Sequence, residues 1–276
     1  MVAFENLVDR VSRDPHRAAA ATVSVIVPTL NEAANLPHVL SRIPLWVDEI
    51  ILVDGNSTDG TPDVARELVP DIVIVGQDRP GKGAALRAGF EAARGDIIVT
   101  IDADGSTDPS EIPLFVGALL AGADFVKGSR FLQGGGSDDM EWYRRLGNWG
   151  FVQLVRMRFG GRFTDLCYGY NAFWRDILTE MDFGLDDGFE IETSMNIQAL
   201  RARLNIHEVA SREALRIHGE SHLRTIPDGF RVLTTIIRFA LSGRRNDASP
   251  TPRRRRLATR RSLRGAMSVK TNSAGS

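Results

Sequence analysis

The chain has 276 residues, of which 43% are apolar and 25% charged, a composition typical of a globular protein with a sizeable core. Its single cysteine, Cys167, excludes a disulfide framework and a metal site built from cysteines alone. The formal net charge of −1 conceals an uneven distribution, because residues 244–276 contain ten basic residues and one acid. We therefore expect an acidic body followed by a basic, disordered tail, and no nucleic-acid partner.

In the first half of the chain, short runs of β-branched residues alternate with amphipathic stretches. The runs are continuously apolar rather than alternating, which predicts parallel strands buried on both faces of a sheet. Repeated βαβ units of this kind form a doubly wound α/β fold whose ligands bind at the carboxyl ends of the strands. The predicted strands cover residues 23–29, 49–54, 71–76 and 96–102.

The pattern changes after residue 123. A fifth strand is predicted in ADFVKGSRF, and the glycine-rich stretch LQGGGSDDM that follows is interpreted as a mobile lid. The remaining predicted elements are a helix around 141–159, a helix near 190–203 and short strands near 206–217.

The two ends of the chain are expected to lie outside the catalytic domain, which we assign to residues 23–226. Residues 1–22 are interpreted as an extension without the features of a signal peptide. The longest apolar run, 232–241, contains Arg238 and is too short to span a bilayer.

Residues 227–243 are predicted to form an amphipathic helix directly before the basic tail of 244–276. This combination predicts attachment to an anionic membrane surface, with the protein cytoplasmic and peripheral on the inner face. The alternative is that the apolar face packs on the catalytic domain. The expected polar face is formed by Arg231, Thr235, Arg238 and Ser242, and the apolar face by Phe230, Leu233, Ile237 and Ala240.

Two aspartates, Asp102 and Asp104, follow the fourth predicted strand in DIIVTIDADGSTDP. On a strand they face the same side, and two such carboxylates repel each other unless a cation lies between them. Hard oxygen ligands on a short turn suit Mg²⁺ or Mn²⁺, whereas the alternative is a solvated strand end. Asp108 differs, because with Pro109 and Glu111 it is predicted to form a capping box.

Polar, turn-forming residues end each of the first four predicted strands, in PTLNE, VDGNSTDG, GQDRPGKG and DADGSTDP. Four loops of this kind at one sheet edge predict a single site. A competing interpretation starts from DADGS, which also fits the DxDx[ST] motif of haloacid-dehalogenase-type phosphohydrolases, with Asp102 as the nucleophile.

Taken together, the loops resemble family 2 glycosyltransferases of the GT-A fold, and most closely the dolichol/polyprenyl-phosphate sugar synthase branch. The resemblance covers roughly residues 23–223, and the order and spacing of its segments make it specific. It implies inverting, metal-dependent transfer of a sugar from a nucleoside-diphosphate sugar. The matching segments are VIVPTLNEAANL, ILVDGNSTDGT, GKGAALRAGF, IDADGSTDPSEIP, VKGSRF and RIHGESHL.

By this resemblance, the donor nucleotide lies against the first three loops. Its base and ribose would contact Pro28, Glu32 and Asp54, and Lys82 lies in the loop that closes over the nucleotide. Gly55 stands where the family commonly has a second acid, so recognition of the base is expected to differ.

The resemblance also implies the metal ligands and the phosphate contacts. Asp102 and Asp104 would hold Mg²⁺ or Mn²⁺ against the diphosphate, with Ser106 as a further ligand, directly or through water. Arg130 and Arg216 would meet donor or acceptor phosphates, for which a guanidinium group is well matched. Asp104 and Arg130 are therefore expected to be catalytic.

A polyprenyl phosphate is the implied acceptor, and as an anion it needs no general base. A soluble or glycan hydroxyl acceptor would need one, for which Asp165 is the first candidate, followed by Glu190 and Glu192. The latter two could instead lie at a helix N-terminus for dipole reasons. Tyr168 and Asn171 are expected to border the acceptor pocket, although YGYNAFW fits core aromatics equally well.

One departure weakens the lipid-phosphate interpretation, since His222 stands where that branch usually has lysine. Two other classes stay open at this point: the phosphohydrolase, and a non-catalytic protein that binds nucleotide sugars. The oligomeric state is not predicted.

Overall fold

The computed structural model describes residues 21–183, 186–220 and 224–242. Almost all of the predicted N-terminal extension, the basic tail and His222 lie outside these residues. The described residues as far as Leu241 belong to one compact unit.

The centre of the fold is a seven-stranded sheet in the order β3-β2-β1-β4-β7-β5-β8, and β6 and β9 form a separate two-stranded sheet. In the large sheet only β7 is antiparallel, to β4 on one side and β5 on the other. The predicted mostly parallel α/β fold is confirmed. The strands are β1 (Val23–Thr29), β2 (Glu49–Asp54), β3 (Val73–Gly76), β4 (Ile97–Thr100), β5 (Phe125–Ser129), β6 (Gly136–Ser137), β7 (Asn171–Trp174), β8 (Ile206–Ala210) and β9 (Arg212–Glu213).

Helices cover the sheet, which explains why β1, β4 and β5 are buried almost without interruption. The glycine-rich segment predicted as a lid contributes β6, which pairs with β9. The helices are α1 (Leu36–Leu40), α2 (Thr61–Leu68), α3 (Lys82–Ala92), α4 (Ile112–Leu120), α5 (Trp142–Phe159), α6 (Glu190–Arg201) and α7 (Thr225–Leu241).

The antiparallel strand β7 was not predicted as a strand. Its sequence NAFW is short and lies within an aromatic stretch that a core loop fits equally well. Only the pairing with β4 and β5 gives it a strand conformation.

Helices α5, α6 and α7 share a smaller apolar core to which Val155, Ile197 and Ile236 contribute. The face of α7 that meets this core includes Val232 and Ile236. It also includes Thr235, which is 4% exposed, so the prediction that Thr235 belongs to an exposed polar face is wrong. Its hydroxyl lies 3.4 Å from Asp186 Oδ1, which satisfies the buried polar group.

Within the described ranges, no helix has both the length and the apolarity that crossing a bilayer requires.

Candidate active site

Hydrogen bonds between side chains and backbone join the loop after β1 to the loop after β2. Asn31, which has a φ of 56°, accepts from the Thr58 amide at 2.8 Å, and its own amide donates to Ser57 Oγ at 2.8 Å. Asp59 accepts from the Ala33 amide at 2.9 Å. Asn and Asp side chains commonly form such hydrogen bonds with backbone amides in turns. Here the bonds hold the two loops together, and we call the joined loops the rim.

The segment after β9 closes over this rim and over the loop after β4. Asn35 bonds twice to the backbone of His218, accepting from its amide at 2.9 Å and donating to its carbonyl at 3.1 Å. The Ile217 amide donates to the Asp104 carbonyl at 3.2 Å. As a result, residues far apart in the chain, Glu32 and Arg216, meet at the same edge of the sheet.

Asp102 and Asp104 lie directly after β4, and each faces a basic side chain. Lys82 Nζ at the start of α3 is 2.5 Å from Asp102 Oδ1, and Arg216 Nη1 is 3.3 Å from Asp104 Oδ2. Each base also has a second carboxylate partner. Lys82 Nζ is 2.7 Å from Glu192 Oε1 in the first turn of α6, and Arg216 Nη2 pairs with Glu32 Oε1.

This charge cluster is shielded from water, since the side chains of Lys82 and Glu192 are 12% and 3% exposed. Burial by itself would lower the pKa of Lys82, but the carboxylates of Asp102 and Glu192 raise that pKa above its ordinary value. Burial raises the pKa of Glu192, and Lys82 opposes that effect. Lys82 is therefore held as a cation between two acids.

The donor atoms at the tip of β4 fit a divalent cation. Ser106 donates from its hydroxyl to Asp104 Oδ1 at 2.7 Å and from its amide at 3.0 Å. Over the described ranges, no group of three or more His, Cys, Asp or Glu residues could hold a metal. Two carboxylates and a hydroxyl are the oxygen donors that Mg²⁺ or Mn²⁺ prefers, and either ion takes its further ligands from water and substrate phosphates.

Arg130 and Asp165 lie deeper, and they bind each other. Arg130 Nε and Nη2 donate to the two oxygens of Asp165 at 2.7 and 2.9 Å, and Nη1 donates to Glu213 at 3.1 Å. The Tyr168 ring covers the guanidinium at 4.9 Å from the ring centroid. The Arg130 side chain is 4% exposed and that of Asp165 is fully buried.

For Asp165, burial would raise the pKa, but the charge and hydrogen bonds of Arg130 lower it below the ordinary carboxyl value. A carboxylate held in this way is a weak base, so the geometry favours a structural ion pair. The catalytic roles expected for Arg130 and Asp165 stay predictions.

The residues expected at the acceptor pocket are all buried. Tyr168 is 2% exposed and its hydroxyl is 3.0 Å from Ser211 Oγ. Asn171 lies within β7 and donates to the Gly169 carbonyl at 3.0 Å. Their packing favours the alternative of core residues. Glu190 starts α6 and accepts from the Gly188 amide at 3.0 Å, whereas its buried Oε2 has no hydrogen-bond partner in the described structure.

The two residues expected beside the base lie at the end of the sheet that carries the loops. Pro28 is the sixth residue of β1 and is aligned with Val53 of β2. Asp54 ends β2 and accepts from the Ser57 amide at 3.2 Å. Both are half-buried, and their contact with a nucleotide stays a prediction.

Sequence reasoning missed two residues that organise the site. Asn35 joins the first loop to the backbone of His218, and Lys127 is a fully buried lysine in β5 that donates to the Tyr168 carbonyl. Burial lowers the pKa of Lys127. The signal for Lys127 was a lysine in the middle of the predicted strand in ADFVKGSRF, whereas nothing local marks Asn35.

Comparisons with known proteins support the family resemblance. The model of glycosyl transferase family 2 matches residues 24–181. The polyprenol monophosphomannose synthase of Mycolicibacterium smegmatis is 34% identical over 197 residues, which cover 67% of this chain and 74% of that protein. The undecaprenyl-phosphate mannosyltransferase of Micrococcus luteus is 32% identical, covering 73% of this chain and 87% of that protein. The predicted resemblance to the polyprenyl-phosphate branch is confirmed.

Among solved structures, the chain is similar to glucosyl-3-phosphoglycerate synthase from Mycobacterium tuberculosis, crystallised with Mn²⁺, UDP-glucose and phosphoglyceric acid. The TM-score is 0.67 with 28% sequence identity, and the match covers 82% of each chain.

Proposed function

Because the chain belongs to glycosyl transferase family 2, we propose that it moves a sugar, with inversion, from a nucleoside-diphosphate sugar to a polyprenyl phosphate. The observation that carries this proposal is the pair Asp102 and Asp104 at the tip of β4. Both carboxylates lie at the carboxyl edge of the sheet and pair with cations from two other loops. That edge is where open α/β sheets bind their ligands.

Asp102, Asp104 and Ser106 are the residues that would hold Mg²⁺ or Mn²⁺ at this edge. The metal, when bound, supplies positive charge against the diphosphate leaving group. Lys82 and Arg216 supply two further cations within the same cluster. Fixed charges placed where negative charge develops are the usual main source of catalysis, and these residues fit that role.

A phosphate acceptor accounts best for the state of the candidate bases. Asp165 is bound by Arg130, and Glu192 is paired with Lys82, so each candidate base already has a cationic partner. An anionic lipid phosphate needs no base. The names of the relatives, which specify polyprenol and undecaprenyl phosphate, point the same way.

A soluble or glycan hydroxyl acceptor is the second candidate, and one observation favours it. Glu190 Oε2 is buried without a hydrogen-bond partner in the described structure, which would suit a base awaiting an acceptor hydroxyl.

A lipid acceptor, by contrast, further implies that the protein is peripheral on the inner surface of the membrane.

The test is transfer from radiolabelled nucleotide sugars to polyprenyl phosphate in detergent with Mn²⁺. Asp102→Asn and Asp104→Asn are each expected to lower the rate by about 100- to 1000-fold, because each removes charge from the metal site. Asp108→Asn is the matched control on the same loop, since Asp108 caps the turn at Ser110 and pairs with Arg42.

Release of inorganic phosphate from small phosphate esters, with Asp102 required, would replace the proposal by the phosphohydrolase. Transfer to sugars or glycans but not to polyprenyl phosphate would favour the hydroxyl acceptor.

A further inference from the structure

The carboxylate of Glu213 in β9 covers the outer edge of the Arg130 guanidinium. Arg130 Nη1 lies 3.1 Å from both Glu213 oxygens, while its Nε and Nη2 donate to Asp165. The Asp165 side chain is fully buried, whereas that of Glu213 is 12% exposed. Another anion therefore approaches Arg130 from the side that Glu213 covers, and it binds there in place of Glu213.

Glu213 also holds the glycine-rich segment that contains β6. The Ser137 hydroxyl donates to Glu213 Oε2, and the Asp138 amide donates to the Glu213 carbonyl at 2.9 Å. The ladder between β6 and β9 has only two residue pairs, so the side-chain bond to Glu213 matters for keeping the strands together. One residue thus links Arg130 to the position of this segment.

Glu213 lies beside the loop that carries the candidate metal ligands. The amide of the next residue, Ala214, donates to the Ser106 carbonyl at 2.8 Å. Ser106 in turn donates from its hydroxyl to Asp104 Oδ1 at 2.7 Å. An anion that takes the place of Glu213 on Arg130 would therefore bind at the border of the metal site, where an acceptor has to meet the donor.

This arrangement distinguishes anionic from neutral acceptors. A guanidinium binds a phosphate through parallel, charge-assisted hydrogen bonds, so a phosphate that replaces Glu213 leaves Arg130 fully paired. A neutral hydroxyl in the same place would separate Glu213 from Arg130 and leave a nearly buried cation with one carboxylate fewer, which is costly. Selectivity of this kind comes from penalising the wrong partner.

We propose that Glu213 is a specificity-determining residue that covers Arg130 until an anionic acceptor displaces it, and that this exchange releases the segment containing β6. The inference deepens the proposed function, on which it rests, by naming the residue that selects a phosphate over a hydroxyl. Acceptor binding needs no donor, and transfer by the wild type needs no change at Glu213, so the two can fail separately.

The first test measures the affinity of the full chain for a short-chain isoprenyl phosphate in detergent, without donor. Glu213→Gln keeps the shape of the side chain but removes its charge. It is expected to tighten binding at least about tenfold, because the competitor for Arg130 is lost. The corresponding isoprenyl alcohol, which lacks the phosphate, is expected to bind the wild type and the variant equally weakly.

Asp138→Asn is the matched control for this test. It removes an exposed ion pair with Arg212 from the same short ladder and leaves Glu213 on Arg130, so the affinity is expected to stay within about twofold of the wild type. In the transfer assay, Glu213→Gln is expected to lower KM for the phosphate acceptor without raising kcat. A merely structural role for Glu213 would not lower KM.

The second test follows the Asp138 amide, which donates to the Glu213 carbonyl. The isoprenyl phosphate alone is expected to speed hydrogen exchange of this amide in the wild type, because Glu213 leaves Arg130 and releases Ser137. Glu213→Ala is expected to exchange fast without the ligand and to respond little when it is added.

Equal affinity of the wild type and Glu213→Gln for the isoprenyl phosphate would overturn the inference, and transfer by the wild type would then leave the proposed function standing. Weaker binding by Glu213→Gln would also overturn it, because Glu213 would then support the phosphate site instead of competing with the phosphate. So would a failure of both proteins to bind the isoprenyl phosphate.

Discussion

At the scale of single residues, the sequence leaves two roles open for Asp165, which forms a buried pair with Arg130. As a general base, Asp165 would take part in the reaction. As the partner of Arg130 in an ion pair, it would instead stabilise the fold. Replacing Asp165 with Asn is expected to cost about 3–5 kcal/mol of unfolding free energy at neutral pH, because the Arg130 charge stays buried with a weaker partner. Urea unfolding measures this loss.

The effect should depend on pH with a defined sign. Arg130 keeps the Asp165 pKa below its ordinary value, so the stabilisation is present above that ordinary value and disappears as the pH falls through the folded-state pKa. Asp138→Asn removes an exposed partner of Arg212 and is expected to change stability by less than about 1 kcal/mol. A stable but inactive Asp165→Asn enzyme would instead support the general base.

Lys82 gives a second prediction at this scale, because its ammonium group pairs with Asp102, one of the two candidate metal ligands. Lys82→Met is expected to tighten Mn²⁺ binding at least about tenfold in the absence of nucleotide, since a competing cation is lost. Glu192→Gln is expected to weaken Mn²⁺ binding, because Lys82 then has only Asp102 as a carboxylate partner and competes more strongly with the metal for it. The free Mn²⁺ signal in electron paramagnetic resonance measures both, with Arg42→Met as the control. Unchanged Mn²⁺ affinity in Lys82→Met would contradict the competition.

At the scale of secondary-structure elements, α3 and the segment before α6 approach so closely that a side chain has no room. A Cβ at Gly83 would lie 1.9 Å from the Asp186 carbonyl oxygen, and the Gly83 amide donates to the Asp187 carbonyl at 2.7 Å. This contact holds the start of α3 beside the start of α6, so that Lys82 can pair with Glu192.

The same substitution at two glycines should therefore have opposite effects. Gly83→Ala is expected to destabilise the protein by about 1–3 kcal/mol and to weaken nucleotide binding, because backbone must move. Gly147→Ala, in α5 with nothing within 4 Å of a Cβ, is expected to stabilise it by about 0.5–1 kcal/mol. Thermal unfolding and nucleotide titration measure the two effects. A stable Gly83→Ala variant with normal affinity would show that the approach is looser than described.

The segment predicted to be a lid contains β6, whose pairing with β9 holds it in place. Only two residue pairs join the strands, and the adjoining ion pair between Arg212 and Asp138 is exposed. So short a ladder is weak on its own. Amide exchange over residues 133–139 is expected to slow when donor and Mn²⁺ bind, with α4 as an unchanged internal control. Equal exchange in both states would argue against a lid.

At the scale of the whole molecule, donor binding should stabilise the complete fold, because the site joins the loops after β1, β3 and β4 to α6 and to the segment after β9. A ligand at 100 times its dissociation constant adds about 2.7 kcal/mol. For a domain of this size that corresponds to a rise in Tm of about 5–10 °C. A thermal-shift panel of UDP, GDP, dTDP and CDP sugars with Mn²⁺ is expected to show this rise for one base, and EDTA to abolish it. A rise that persists in EDTA would contradict the metal site.

The sequence by itself determined the parallel sheet and the place of the two aspartates. Continuous apolar runs such as VSVIVPT are sufficient for buried strands, and parallel strands bring their terminal loops to one edge. Asp102 and Asp104 were therefore predictable without knowledge of any distant contact.

Only the tertiary structure decided which partners the charges have. Lys82 meets Glu192 across 110 positions, and Arg130 meets Asp165 across 35. Such pairs depend on how loops and helices pack, which local patterns do not encode. The same holds for α7, because an amphipathic pattern shows that a helix has two faces but not which one meets the core. Packing on α5 and α6 buried Thr235 and left Phe230 exposed, since the core reaches only one side of the helix.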